Sequence, residues 1–190
     1  PTCDGKTIVF CTSKADRPDS AEEIADMLNK VGTATIARPY HKDLSQHDRE
    51  KALADFTNGV ITVLVVTSAL SVGFDTDGVK RVIFYGVPST LNTWVQVAGR
   101  CARRPHEKGD IHVFWTFKDF NIFSFYYGNI ERNVHREDVA TAQERVLTNA
   151  KNMFRLYSTC GCYRRWLATF YGVELVDGDY GECSNCKQGA

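Results

Sequence analysis

The chain has no unbroken apolar run of the roughly 18 residues that a membrane helix needs, and its N-terminus lacks the basic, apolar, small-residue succession of a signal peptide. An intracellular chain with no membrane partner is therefore expected, nuclear if the source is eukaryotic. It has no excess charge of either sign, because 23 Lys and Arg balance 23 Asp and Glu. Overall charge thus does not point to nucleic acid, and any such surface must be a local patch. Internal repeats, low-complexity runs and long Pro/Gly/Ser linkers are also absent, which excludes solenoid and tethered-module designs. A hydrophobic content of 43% over 190 residues supports one well-cored domain with a smaller appendage packed against it.

What is present is an alternation of strands and helices. Lys6 to Cys11 (KTIVFC) reads as a buried strand, and Ser20 to Val31 carries Ile24, Met27, Leu28 and Val31 on one helical stripe, with Ser20 and Glu23 at capping-box spacing. A second strand is expected around Thr33 to Ile36 and a second helix from Ser45 to Phe56. Ile61 to Thr67 and Arg81 to Tyr85 are rich in β-branched and aromatic residues, as strands at a sheet centre are. Leu91, Trp94, Val95 and Ala98 give a further helical stripe before a last strand at Asp110 to Trp115. This is a parallel α/β pattern ending near Phe117. From Lys118 the alternation stops, and Val139, Ala142, Val146, Ala150, Met153 and Tyr157 recur at helical spacing. The expected division is 1–117 and 118–190.

Gly5-Lys6-Thr7 looks like the end of a phosphate-binding P-loop, but the earlier glycine is missing and the segment leads into a strand rather than a helix. No paired acidic motif for magnesium follows. The chain alone is therefore expected to be inactive as an ATPase. More informative is Gln96-Val97-Ala98-Gly99-Arg100-Cys101-Ala102-Arg103-Arg104. On a helix Arg100 and Arg103 would share a face, and paired guanidinium groups suit the charge on a transferred γ-phosphoryl group. Gly99 would permit close backbone approach. On spacing alone the arginines fit a solvated helix end equally well. Context favours the functional reading: Thr67 to Asp75 leaves a buried strand, and ligands of parallel sheets bind beyond carboxyl strand ends, where Gly73 and Asp75 would lie.

Together these segments resemble the C-terminal lobe of superfamily 2 helicases, with the RecQ family as the nearest pattern. Ile8 to Ser13 resembles its motif IV, Tyr40 to Leu44 the following loop, Thr67 to Asp75 motif V and Gln96 to Arg103 motif VI. Ala102 stands where the family usually has glycine, and Arg104 where it usually has aspartate. Ala15 to Asp19 is an insertion read as a surface loop. The resemblance implies a RecA-like parallel sheet flanked by helices, with a small helical zinc-binding subdomain. It implies Arg103 as the arginine finger supported by Arg100, with Gly73, Asp75, Gln96 and Gly99 near nucleotide. It also implies Thr12, Ser13 and Thr67 beside the phosphates of one DNA strand, although each hydroxyl alone fits an ordinary turn or cap.

Seven cysteines form an odd set: Cys3, Cys11 and Cys101 are scattered, whereas Cys160, Cys162, Cys183 and Cys186 crowd the C-terminus. Four soft ligands in a short segment suit structural zinc rather than a disulfide framework. RecQ-like tails carry a helix cysteine, an Arg-Arg pair and a terminal three-cysteine knuckle; Cys162, Arg164-Arg165 and Phe170-Tyr171-Gly172 resemble that helix. Tyr180 stands where a second knuckle cysteine is expected, with Cys160 as the substitute ligand. The alternative is that Cys160 or Cys162 is a free thiol and His135 or water fills the fourth position. Arg155, Arg164 and Arg165 could form a basic face, whereas Trp166, Phe170 and Tyr171 are expected in the core rather than on bases. Trp94, Trp115 and the run Phe120 to Tyr127 are read the same way.

The expectation is the C-terminal half of an ATP-dependent 3′-to-5′ DNA helicase of RecQ type, acting at single strands and duplex junctions. ATP and magnesium would bind only together with an N-terminal RecA-like lobe of the same protein. A non-catalytic nucleic-acid- or protein-binding module on the same scaffold is the alternative, and an RNA helicase the second rival.

Overall fold

The computed structural model describes residues 5–12, 19–31, 35–67, 77–104, 107–130, 138–176 and 182–188. The chain divides into two compact units, Pro1–Ile122 and Phe123–Ala190, against a sequence-based boundary after 117.

Unit 1 is built on a parallel five-stranded sheet in the order β2-β3-β1-β4-β5. The strands are β1 (Lys6–Cys11), β2 (Ala37–Tyr40), β3 (Val63–Val66), β4 (Val79–Tyr85) and β5 (Asp110–Phe114). β1 lies at the centre because it can be covered on both faces: Ile8, Val9, Phe10 and Cys11 are all buried. Successive side chains then sort to opposite faces. Val9, Cys11 and Val65 pack with Ile24 and Ala25 of helix α1 (Ala21–Val31). Phe10 and Phe84 meet at 5.6 Å, and Trp94 of helix α3 (Leu91–Ala98) stacks on Phe84 at 5.1 Å and 8°. Helix α2 (Gln46–Thr57) buries Ala52 and Phe56.

Helix starts follow the capping rules read from the sequence. Ser20 Oγ accepts from the Glu23 amide at 3.2 Å and Ser45 Oγ from the Asp48 amide at 3.0 Å, each satisfying one orphan donor of a first turn. Thr90 does the same for α3.

The second strand falls at Ala37–Tyr40, later than the expected Thr33 to Ile36. Arg38 and Pro39 hide it from a propensity reading, and the edge position explains them, since an edge strand tolerates a missing amide donor. Arg38 also pairs with Asp55 of α2 at 2.8 Å. Asn29 ties this edge to α1: its Oδ1 accepts from the Ile36 and Ala37 amides at 2.8 and 2.9 Å, and its Nδ2 donates to the Ala37 carbonyl at 3.0 Å.

After a 3-10 turn at Phe117–Phe120 comes helix α4 (Asn121–Gly128), within which the division between the units falls. Of the run expected to pack, Phe123 is buried but Phe125 is 64% exposed. Unit 2 continues with α5 (Val139–Tyr157), α6 (Tyr163–Tyr171) and α7 (Ser184–Gln188). α5 buries Ala142, Met153, Leu156 and Tyr157. α6 buries nothing, so the expected core role of Trp166, Phe170 and Tyr171 does not hold.

Replacing Asn29 by alanine leaves two amides and a carbonyl without their side-chain partner, so Asn29→Ala should destabilise unit 1 by about 1–3 kcal/mol. Urea unfolding followed by far-UV circular dichroism measures it; an unchanged midpoint would mean that water replaces the tie without loss.

Candidate functional site

Because β1, β3 and β4 run in parallel, their carboxyl ends share one edge of the sheet. Thr12 follows β1 there and is half-buried; Thr67 follows β3, is 8% exposed, and donates its amide to the Tyr40 carbonyl at 3.3 Å. Gly86, with φ of 97°, turns the chain away from β4 beside Thr12. His41, which leaves β2 at the same edge, is 2% exposed and places Nε2 3.1 Å from Glu22 Oε1. Two of the three hydroxyl residues named from the sequence thus sit at the carboxyl edge. Ser13 lies outside the described residues, as do Gly73, Asp75, Tyr180, His135 and residues 15–18 of the insertion.

The arginines lie at the other edge. α3 ends at Ala98, with Gly99 as its C-cap at φ −68°. Arg100 and Arg103 therefore do not share a helix face: a Cys101–Ala102 bend lies between them. Ala102 has φ of 49°, the sole positive φ of a non-glycine among the described residues, and its amide donates to the Val79 carbonyl at 3.0 Å. Val79 begins β4, so this bond fixes the arginine loop at the amino edge. β4 has seven residues, which sets the two edges roughly 20 Å apart. The carboxyl-edge rule used in reading the sequence consequently does not locate the arginines.

Three further contacts shape the loop. Arg104 forks onto Asp77, with Nε 3.0 Å from Oδ1 and the second bond from Nη2 to Oδ2. Cys101 Sγ contacts the Asp110 carbonyl at 3.7 Å and packs where a side chain on Gly109 would sit, a Cβ there falling 2.5 Å from the sulfur. Burial, then the Asp110 charge, pushes the Cys101 thiol up, which keeps it a packing group rather than a nucleophile. Gln96 and Gly99 are exposed, as is Arg103, while Arg100 is half-buried. Lys6 is committed elsewhere, its ammonium donating to the Thr57 and Asp77 carbonyls at 2.9 and 3.2 Å. Gly5-Lys6-Thr7 therefore starts a strand and anchors a loop.

In unit 2, Cys162, Cys183 and Cys186 bring their sulfurs within 4.8 Å of one another. A tetrahedral zinc holding sulfurs at about 2.3 Å sets them roughly 3.8 Å apart, so this trio fits the ion. Cys160 does not join it, which corrects the four-cysteine expectation. Asn185 Nδ2 donates to the Thr159 and Gly161 carbonyls at 2.7 and 3.0 Å, tying the peptides that precede Cys160 and Cys162 to the knuckle, while the Cys160 side chain is exposed. The same bonds hold Cys162 against the Cys183–Cys186 turn. Hydrogen bonding to Cys183, then to Cys162, pushes the Cys186 thiol up to about 11. Asn185, between the knuckle cysteines, is a positioning residue that motif reading overlooked.

A family model described as the helicase conserved C-terminal domain matches residues 2–105. The chain is 31% identical over 164 residues to the ATP-dependent helicase wrn-1 of Caenorhabditis elegans, spanning 84% of this chain and 14% of that protein. It is 32% identical over 143 residues to the ATP-dependent RNA helicase DDX42 of Homo sapiens, spanning 75% and 14% respectively. In fold it is similar to the C-terminal domain of the DEAD-box protein Dbp5, with a TM-score of 0.51 at 23% identity over 77% of this chain and 84% of that one. S. cerevisiae Dbp5 bound to RNA and ADP BeF3 gives a TM-score of 0.51 at 24% identity, over 78% and 39%.

A left-handed alanine costs about 1–2 kcal/mol, whereas glycine adopts this conformation freely at an unfolded-state entropy cost of about 0.5–1 kcal/mol. Ala102→Gly should therefore raise stability by about 0.5–1 kcal/mol in chemical denaturation. A loss of stability would show that the methyl group packs favourably enough to outweigh the backbone strain.

Proposed function

Because the chain belongs to the helicase conserved C-terminal domain family, we propose that it is the second RecA-like lobe of a RecQ-type, ATP-dependent 3′-to-5′ DNA helicase, carrying a zinc-binding subdomain. The arginine loop carries this reading. Arg100 and Arg103 stand on a bent loop fixed to the start of β4, where they can reach a nucleotide held by an N-terminal lobe and meet the charge developing on its γ-phosphoryl group. Arg103 is the finger and Arg100 its support. Gln96 and Gly99 belong to the same nucleotide-facing surface, and Gly73 and Asp75 keep the place near nucleotide that their motif implies.

Thr12 and Thr67 contact the phosphates of one strand from the opposite edge, with Ser13 assigned to the same task by its motif, a sequence-blind task that hydroxyls and backbone amides suit. Nucleotide closure on one edge would then draw the other along the strand, and hydrolysis would release it. The division of labour explains why the chain lacks a phosphate loop: ATP and magnesium come with the other lobe.

Cys162, Cys183 and Cys186 supply three thiolates for zinc, which would contribute folding energy to unit 2. The cysteine knuckle favours the RecQ-type DNA reading. The relatives named as RNA helicases favour a second reading in which the substrate is RNA.

Two experiments test these roles. In a protein containing both lobes, Arg103→Ala should lower ATP turnover by at least about a hundredfold with strand affinity nearly unchanged. Unaltered turnover removes the finger assignment, and unwinding of a tailed RNA duplex in preference to the DNA equivalent replaces the DNA reading. For the metal, displacing the Cys186 proton makes affinity pH-dependent: zinc binding should weaken by at least about tenfold for each unit that pH falls near neutrality. Zinc titration with a competing chelator at several pH values, with counting of released protons, measures this. A pH-independent affinity would remove the cysteines as ligands.

A further inference from the structure

We propose that unit 2 carries its own site for a single nucleotide of a nucleic-acid strand, between the end of α5 and the exposed face of α6. It deepens the nucleic-acid reading above but uses none of the residues placed at the sheet edges. A cavity of about 370 Å3 lies there, lined by Arg155, Thr159, Arg165, Trp166, Thr169 and Phe170 among others. That volume is at the small end of ligand sites and suits one nucleotide.

Four observations converge on this chemistry. Trp166 and Phe170, four residues apart on α6, stack at 5.5 Å and 7°, so they form a parallel aromatic pair onto which a base can continue the stack. No residue of α6 is buried, and Phe170 is 44% exposed, so this surface is not spent on the core of the unit. Two guanidinium side chains, Arg155 from α5 and Arg165 from α6, line the same cavity, and among the described residues no carboxylate does. Finally, the segment from Arg145 to Gly172 holds five basic side chains and no acidic one, although the whole chain has no net charge.

A flat apolar face beside two cations is complementary to a base joined to a phosphate. Stacking is indifferent to base identity because every base has a π face, and guanidinium groups meet phosphate oxygens without reading sequence. The hydroxyls of Thr159 and Thr169 add donors for sugar or phosphate oxygens. An acidic peptide would satisfy the arginines but leave the stacked rings without a flat partner, which is why a nucleotide is preferred.

The test uses the whole chain, zinc-loaded, with a short oligodeoxythymidine as probe and tryptophan emission as readout. Binding should quench emission, and Trp166→Phe should remove most of that quench, since of the other two tryptophans Trp94 is buried under the sheet and Trp115 belongs to unit 1. Phe170→Ala should weaken affinity by about tenfold. Arg155→Glu, on α5 and outside the cysteine trio, should weaken it and lower the salt slope by about one. An abasic sugar-phosphate strand should bind about tenfold more weakly and without the quench. Thr12→Ala with Thr67→Ala separates this site from the sheet-edge contact: if that pair abolishes binding while Trp166 emission never responds, the inference fails and the helicase reading stands. If the edge variants bind normally and the α6 variants do not, the inference stands alone. Equal binding of inorganic polyphosphate without a quench would overturn it by showing a plain anion patch.

Discussion

The parallel pairing of β1 with β3 on one side and β4 on the other is the constraint on which the rest of unit 1 depends. Strands that all point one way must leave the sheet at one edge and re-enter at the other, so the chain is sorted into exits and entries before any side chain is chosen. Thr12, His41, Thr67 and Gly86 are exits. Asp77, Val79 and Asp110 are entries, and the arginine loop belongs with them because α3 carries the chain back along β4. The Trp94 ring, stacked on Phe84, fixes that return path. Two groups of polar residues separated by the length of one strand follow from this direction alone.

The energetics of the arginine loop favour placement over stability. Ala102 in the left-handed region costs about 1 kcal/mol, and its hydrogen bond to Val79 returns about the same. The Arg104–Asp77 pair is about 60% exposed on both sides, 63% and 58%, so solvent screening leaves it worth at most about 1 kcal/mol. These terms nearly cancel, which means that the loop does not hold the lobe together. Its bidentate fork and backbone bond instead restrict where Arg100 and Arg103 can stand, and such restriction is what an electrostatic role requires. The two departures from the family pattern, Ala102 and Arg104, thus occupy the strained position and one of its restraints.

How far the sequence was legible depended on burial. β1 and β3 read clearly because they are largely buried apolar runs, and β4 because its second half, Val82 to Tyr85, is apolar; β2 did not, because an edge strand can carry Arg38 and Pro39. The Ser20, Ser45 and Thr90 helix starts follow local rules that need no tertiary knowledge, although only the first two were read in advance. The shape of the arginine loop was not legible, because the spacing of Arg100 and Arg103 would place them on one face only if the helix continued, while what bends the chain there is a bond to Val79, twenty-three residues upstream of Ala102. Cys160 was counted with the ligands for a similar reason: spacing counts cysteines, whereas the fold brings Cys162 rather than Cys160 to Cys183 and Cys186. Gly73, Asp75 and Ser13, lying outside the described residues, retain only their motif-based assignment.

The two units draw their order from different sources. In unit 1 large side chains such as Phe56, Phe84, Ile8 and Leu64 are fully buried, and apolar burial suffices to hold a sheet between helices. From Phe123 onward the buried apolar side chains among the described residues are Phe123, Ile130, Ala142, Met153, Leu156 and Tyr157, all on or before α5. α6 and α7 contribute none to that core, yet their cysteines are drawn together and Asn185 bridges the turn between α5 and α6. A segment that cannot bury enough apolar surface must be held by something else, and three convergent thiols with a side-chain amide tie are the means available here. The same shortage of core explains the exposed rings of α6: a helix fixed at its N-terminus by a cysteine knuckle is free to leave its aromatic face outward.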